Sequence, residues 1–267
     1  SGVYLSTDNG TSWSQTALNN QSVRSLVVSG NNIFAALITN GVRLSTNNGA
    51  SWTATALYGG NVFSLAANGN NIFAGTSDAV WLSTNNGTNW TQTTLFNQRV
   101  YSLAVSGNNA FAGTHDRGVY LSTNNGTSWT QTALNNLRVN SIALSENNIF
   151  AGTNNSVWLS ANNGTSWTQA ALNNWDVRSL AASENNIFAG TANGVWFSTN
   201  SGTSWSQTSL NNSTVNSLAI SGNNIFAGKD YNGVSLSTNN GTSWTQTSLQ
   251  SSIYSFANVF AKFYLFL

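Results

Sequence analysis

Residues 100 to 129 read VYSLAVSGNNAFAGTHDRGVYLSTNNGTSW. Three runs with strand character are visible, VYSLAV (100 to 105), AFAGT (110 to 114) and GVYLST (118 to 123), and a fourth, SWTQTAL, begins at Ser128. The runs are filled by Val, Tyr, Phe, Leu, Trp and Thr. The breaks between them are Gly-Asn and Asn-Asn-Gly, which supply the positive φ that tight hairpins need. No apolar period of 3.6 extends over ten residues, so the unit is all-β.

The unit repeats. A string ending in Trp recurs at Trp13, Trp52, Trp90, Trp129, Trp167, Trp205 and Trp244, at intervals of 38 or 39 residues. Four short strands per repeat at this spacing predict one blade of a β-propeller per repeat. A stacked solenoid would use shorter coils and would leave both ends uncapped. The ends of the chain favour the ring: it opens in the third and fourth strands of a unit (Val3 to Thr7, Ser12 to Leu18) and closes on the first two (Ile253 to Val259, Phe263 to Leu267). The expectation is a single domain, residues 1 to 267, forming a seven-bladed propeller closed by a composite blade of 1–18 plus 250–267.

Composition narrows the function. Only 15 of 267 residues are charged, eight Lys or Arg against seven Asp or Glu, a net charge of +1. That is 6%, where about 25% is usual in soluble domains. Near neutrality lacks the basic footprint of a nucleic-acid binder. The absence of Cys, with one His, leaves neither disulfides nor a thiolate zinc site. An apolar content of 40% with 11 Trp suffices for a core despite 44 Asn. No apolar run reaches the roughly 18 residues of a spanning helix. The start at Ser1 in mid-strand predicts that any leader has been removed or lies outside this sequence.

The recurring string reads STDNGTSW at Ser6 to Trp13 and STNNGTSW at Ser122 to Trp129 and at Ser237 to Trp244. It resembles the Asp-box, or bacterial neuraminidase repeat, Ser/Thr-x-Asp-x-Gly-x-Thr-Trp/Phe. The third position keeps Asp only at Asp8; Asn47, Asn85, Asn124, Asn162, Asn200 and Asn239 replace it elsewhere. A short side-chain oxygen suffices there, because its task is to accept hydrogen bonds from the turn. The resemblance implies structural turns on the face away from a site. It also makes sialidase chemistry the first to test: an arginine triad, a Tyr nucleophile with a Glu partner, and an Asp acid/base. The only glutamates, Glu146 and Glu184, stand where sister units carry the Gly of an SGNN turn, so the catalytic set is not found and no enzyme is expected. His115, Asp116 and Arg117 are sequence neighbours, which is no support for a triad.

Variation among the units locates a site. The repeated turns hardly change, whereas the fourth-to-first strand links and the second-to-third links differ, and antiparallel geometry places both on one face. Ten of the 15 charges fall in those links or beside them. The second residue of each inner strand is Arg24, Phe63, Tyr101, Asn140, Arg178, Asn216 or Tyr254, predicted to ring the mouth of a central channel, with Arg99, Arg138, His115, Asp116, Arg117 and Trp175 as further candidates. Arginine, amide and aromatic side chains suit a glycan, so a lectin-like, carbohydrate-binding role is expected. A structural or protein-interaction module of a longer secreted chain is the alternative. A third arrangement would repeat sites between blades at Tyr4, Trp81, Tyr120, Trp158 and Trp196, a series that Arg43 and Ser235 break. No cofactor or metal is expected, and the resemblance implies a secreted or surface-exposed bacterial monomer.

Overall fold

A computed structural model describes the backbone of residues 2–259 and 263–266, with side chains described up to residue 256. Within them six blades, each a four-stranded antiparallel sheet, follow one another along the chain. In the blade quoted above the strands are Val100–Ser106, Asn109–Thr114, Val119–Ser122 and Thr130–Gln131, in that order from the inside outward. At the termini Ser14–Asn19, Gly2–Ser6, Phe263–Phe266 and Phe256–Val259 pair in the same antiparallel manner. Phe256–Val259 lies against both Val23–Ser29 and Val215–Ser221. The last inner strand therefore starts later than the expected Ile253. Ile253 is nevertheless buried where its sisters are: its Cγ2 faces Gly228 as the Cγ1 of Val215 faces Gly190. Residues 1, 260–262 and 267 of the expected domain lie outside the described ones.

The middle strands carry the core. Asn148–Thr153 and its counterparts are buried from their second residue on, and Phe34, Phe73, Phe111, Phe150 and Phe226 are among the largest fully buried side chains. Blades press together through a backbone contact: a Cβ added to Gly75, Gly113, Gly152 or Gly190 would meet a Val of the next inner strand at 2.6 to 2.8 Å. Neighbouring inner strands are also stitched by serine. Leu65, Ile142, Leu180 and Leu218 N–H donate to Ser25, Ser102, Ser141 and Ser179 Oγ at 2.8 to 3.0 Å. Those donors would otherwise be orphaned at the inner edge of a sheet, a cost comparable to a lost hydrogen bond.

The repeated turn explains its own Asn. In the first copy Ser12 N–H and Oγ–H donate to the Asp8 carboxylate, and Gly10 N–H donates to Ser6 Oγ at 2.8 Å. In the second, Ser51 N–H donates to Asn47 Oδ1 while Asn47 Nδ2 donates back to Ser51 Oγ, each at 2.9 Å. Asn124, Asn162, Asn200 and Asn239 repeat the reciprocal pair. The serine hydroxyl reverses from donor to acceptor, so the amide costs the turn no hydrogen bond. Glu146 and Glu184 occupy their turns at φ of 50° and 53°, as Gly107 does at 56°.

Candidate functional site

A β-bulge builds the site. In each of the six inner strands within the chain the register slips at one place, between Val23 and Ser25, Val62 and Ser64, Val100 and Ser102, Val139 and Ser141, Val177 and Ser179, and Val215 and Ser217. The extra residue is Arg24, Phe63, Tyr101, Asn140, Arg178 or Asn216, the expected ring position. A bulge leaves its extra residue out of the ladder and re-aims the side chain. These six, with Tyr254, line one cavity of about 750 Å³, together with Arg99, Arg138, Asp176 and Asp230. Four of the chain's six arginines share this space with two aspartates, a formal excess of two positive charges.

The lining groups hold one another. Arg138 Nε donates to Asn140 Oδ1 at 2.8 Å, and Asn140 Nδ2 donates to Asp176 Oδ1 at 3.3 Å and to the Val177 carbonyl at 3.0 Å. Arg178 bridges onward through Nε to Asp176 Oδ2 at 3.3 Å and through Nη1 to Asn216 Oδ1 at 3.0 Å. Asn216 Nδ2 completes the chain to Asp230 Oδ1 at 3.5 Å. The Tyr rings serve the cations: the Arg138 guanidinium lies 5.0 Å from the Tyr101 centroid, and that of Arg24 lies 5.8 Å from Tyr254. Tyr101 also meets Phe63 and His115 edge to face at 5.4 and 5.6 Å. Its face is thus spent on a guanidinium rather than left as a platform.

The other candidates lie elsewhere. Asp116 and Arg117 are exposed in the link outside the cavity, and His115 reaches it only through its contact with Tyr101. Trp175 packs on Trp196, centroids 5.3 Å apart, within a core cluster. Asp176 and Asp230 were readable as charges of this face, but their part in the lining follows from the network. The turn residues from Asp8 to Asn239 and Trp13 to Trp244 occupy the opposite face: Asn86, Asn125 and Ser201 N–H donate to the carbonyls of Asn70, Asn108 and Asn185 in the first-to-second strand turns. Among the described residues no three His, Asp or Glu converge as metal ligands, and no helix is long and apolar enough to cross a membrane.

No family model and no curated protein matches the chain. Solved structures do. YCF48 from Cyanidioschyzon merolae superposes with a TM-score of 0.76 at 14% identity, over 96% of this chain and 98% of that one. The extracellular domain of BT4673 from B. thetaiotaomicron gives 0.77 at 19%, covering all of this chain and 38% of that one. The GH74 xyloglucanase from Xanthomonas campestris gives 0.71 at 14%, covering 90% and 50%. At such identities the likeness is one of fold, and the chain is a β-propeller of four-stranded antiparallel blades.

Proposed function

We propose that this chain is a seven-bladed propeller of the Asp-box type, closed by the composite terminal blade, which performs no chemistry and binds a glycan carrying an acidic group at the cavity of the loop face. One observation carries the reading: the only position at which the inner strands bulge is also the inner-strand position at which the blades differ in chemical type, between Arg, Asn and an aromatic, and these side chains converge. A scaffold alone has no use for that combination. The cavity falls within the range of about 300–1,000 Å³ typical of ligand sites. Its guanidinium and amide groups match carboxylate or sulfate oxygens and paired hydroxyls. With its tyrosine faces turned to arginines, the cavity favours a ligand held by polar contacts over one stacked on aromatic rings. The secreted or surface setting and the monomeric state belong to the same proposal.

The test is a glycan array with neutral and acidic saccharides, read for wild type and for Arg138→Ala and Arg178→Ala. Retention of acidic glycans, lost in both variants, is expected; an array without binding removes the reading. Protein interaction is the second reading, favoured by YCF48 bound to D1 peptide, which superposes with a TM-score of 0.73 over all of this chain and 96% of that one at 13% identity. Acidic peptides immobilised beside the glycans discriminate the two.

A further inference from the structure

A second cavity opens at the rim, between the outer strands of two neighbouring blades, reaching from Asp78 in a link to Trp90 beside the repeated turn, and its origin is visible by comparing sister links. The fourth residue of the link, counted from its conserved Leu, is Leu137 in LNNLRV and Trp175 in LNNWDV. Each packs into the cluster that holds the third-strand aromatic of the blade that follows. Trp175 lies against Trp196, and Leu137 joins the cluster that holds Trp158. The link before Trp81 reads LYGGNV, so Gly60 stands where that side chain would be. Gly59 and Gly60 take φ of 75° and 83°, and a Cβ added to either would meet nothing within 4 Å. A parallel bridge between Gly60 and Asn40 holds the link against the preceding blade. The result is a space of about 500 Å³ lined by Tyr58, Asn61, Thr76, Ser77, Asp78 and Trp81, among others.

We infer that this cavity is a distinct binding site for a neutral pyranose ring. Three aromatic side chains line it, Trp81 and Trp90 half-buried and Tyr58 at 77% exposure, so that one ring stands free in solvent beside two that are anchored in the blade. The apolar C–H face of a sugar is the natural partner of such rings, which bring a large contact area at little entropy cost. Opposite them stands Asp78, whose Oδ1 accepts from Thr76 Oγ1 at 2.8 Å. Among the described residues its Oδ2 accepts nothing, which leaves it for a pair of ligand hydroxyls. Asn61 and Ser77 add amide and hydroxyl groups. No cation lines this space, so it has the opposite polarity to the central cavity and excludes the acids proposed for that one. The proposal concerns this one site: near Trp158 and Trp196 the corresponding link residues, Leu137 and Trp175, pack into the blade clusters.

Saturation-transfer NMR and calorimetry with methyl glucoside, methyl galactoside and methyl mannoside test the inference on wild type, Tyr58→Ser, Asp78→Ala and Arg138→Ala. Both rim positions are exposed, so folding is not at stake. At least one glycoside binds wild type, about tenfold more weakly after Asp78→Ala, which removes a charge-assisted acceptor, and about three- to tenfold more weakly after Tyr58→Ser. Arg138→Ala leaves this binding unchanged, which separates it from the acidic-glycan reading of the centre. No glycoside binding to wild type, binding insensitive to both rim variants, or preference for choline over the glycosides would each overturn it.

Discussion

Replacing Asp176 by Asn offers the sharpest test of the central cavity, because it should improve an anion-binding site at almost no cost to the fold. Asp176 is paired with Arg178 at 3.3 Å, the side chains being 43% and 37% exposed. A pair so open to water contributes at most about 1 kcal/mol to stability. The replacement amide keeps one acceptor oxygen, which suffices for Arg178, and Asn140 Nδ2 retains its bond to the Val177 carbonyl at 3.0 Å when it gives up the one to Oδ1. What changes is charge: the cavity's formal excess rises from two to three, since its acidic members fall to Asp230 alone. An anionic group about 5 Å from that position loses a repulsion of roughly 1 kcal/mol in water and about 3 kcal/mol at an effective dielectric of 20. Asp176→Asn should therefore tighten an acidic glycan by roughly five- to a hundredfold at low salt. The gain should shrink as ionic strength rises and the Debye length falls to about 8 Å. Titration calorimetry at two salt concentrations, with a thermal melt as control, reads both quantities. Weaker binding would refute the reasoning, for it would mean that the carboxylate accepts ligand hydroxyls; an equal gain for neutral glycans would refute the electrostatic account.

Three further outcomes follow from the scaffold. Gly113→Ala places a methyl 2.6 Å from Val139 Cγ1 and should cost about 1–3 kcal/mol in urea unfolding, a loss partly recovered in the Gly113→Ala/Val139→Ala double variant; strict additivity would show that the contact does not set blade spacing. Glu146→Gly relieves a left-handed conformation at φ 50° and should raise stability by about 1 kcal/mol, measurable as a higher urea midpoint. Hydrogen bonds from Ser12 and Ser6 hold the Asp8 carboxyl at about 2, below its ordinary 3.8. A depressed carboxyl stabilises the fold above its ordinary value and loses that contribution as pH falls through 3.8 towards 2. Asp8→Asn should flatten the acid limb of the melting temperature over that window; an unchanged limb would show that the first turn does not titrate with folding.

How much of this could be read from residues alone varies by scale. The Trp spacing and the Asn-Gly turns gave the blade, because hairpin chemistry is local and each repeat poses the same local problem. The ring position was readable too, since one face of a propeller collects every link that varies. His115, Asp116, Arg117 and Trp175 lie outside the cavity lining for a common reason: a link's residues share a face in sequence, yet only backbone geometry decides which of them turn inward. Trp175 looked like a site residue because Trp in a polar link stands out, and nothing local announces that Trp196 waits across the blade boundary.

The sequence by itself determined the strands, their order and the turn in which Asn replaces Asp, since those depend on backbone propensities within a few residues. Tertiary structure alone decided three things. The bulge that frees Arg24, Asn140 and Arg178 arises from pairing with a second strand, and an unpaired strand has no register to slip. The network from Arg138 to Asp230 joins residues up to 37 and 38 positions apart in single hydrogen bonds, which only the curvature of the ring can bring together. The rim cavity exists because Gly60 fails to fill a space that a different blade creates, and a void between two elements is a property of their packing.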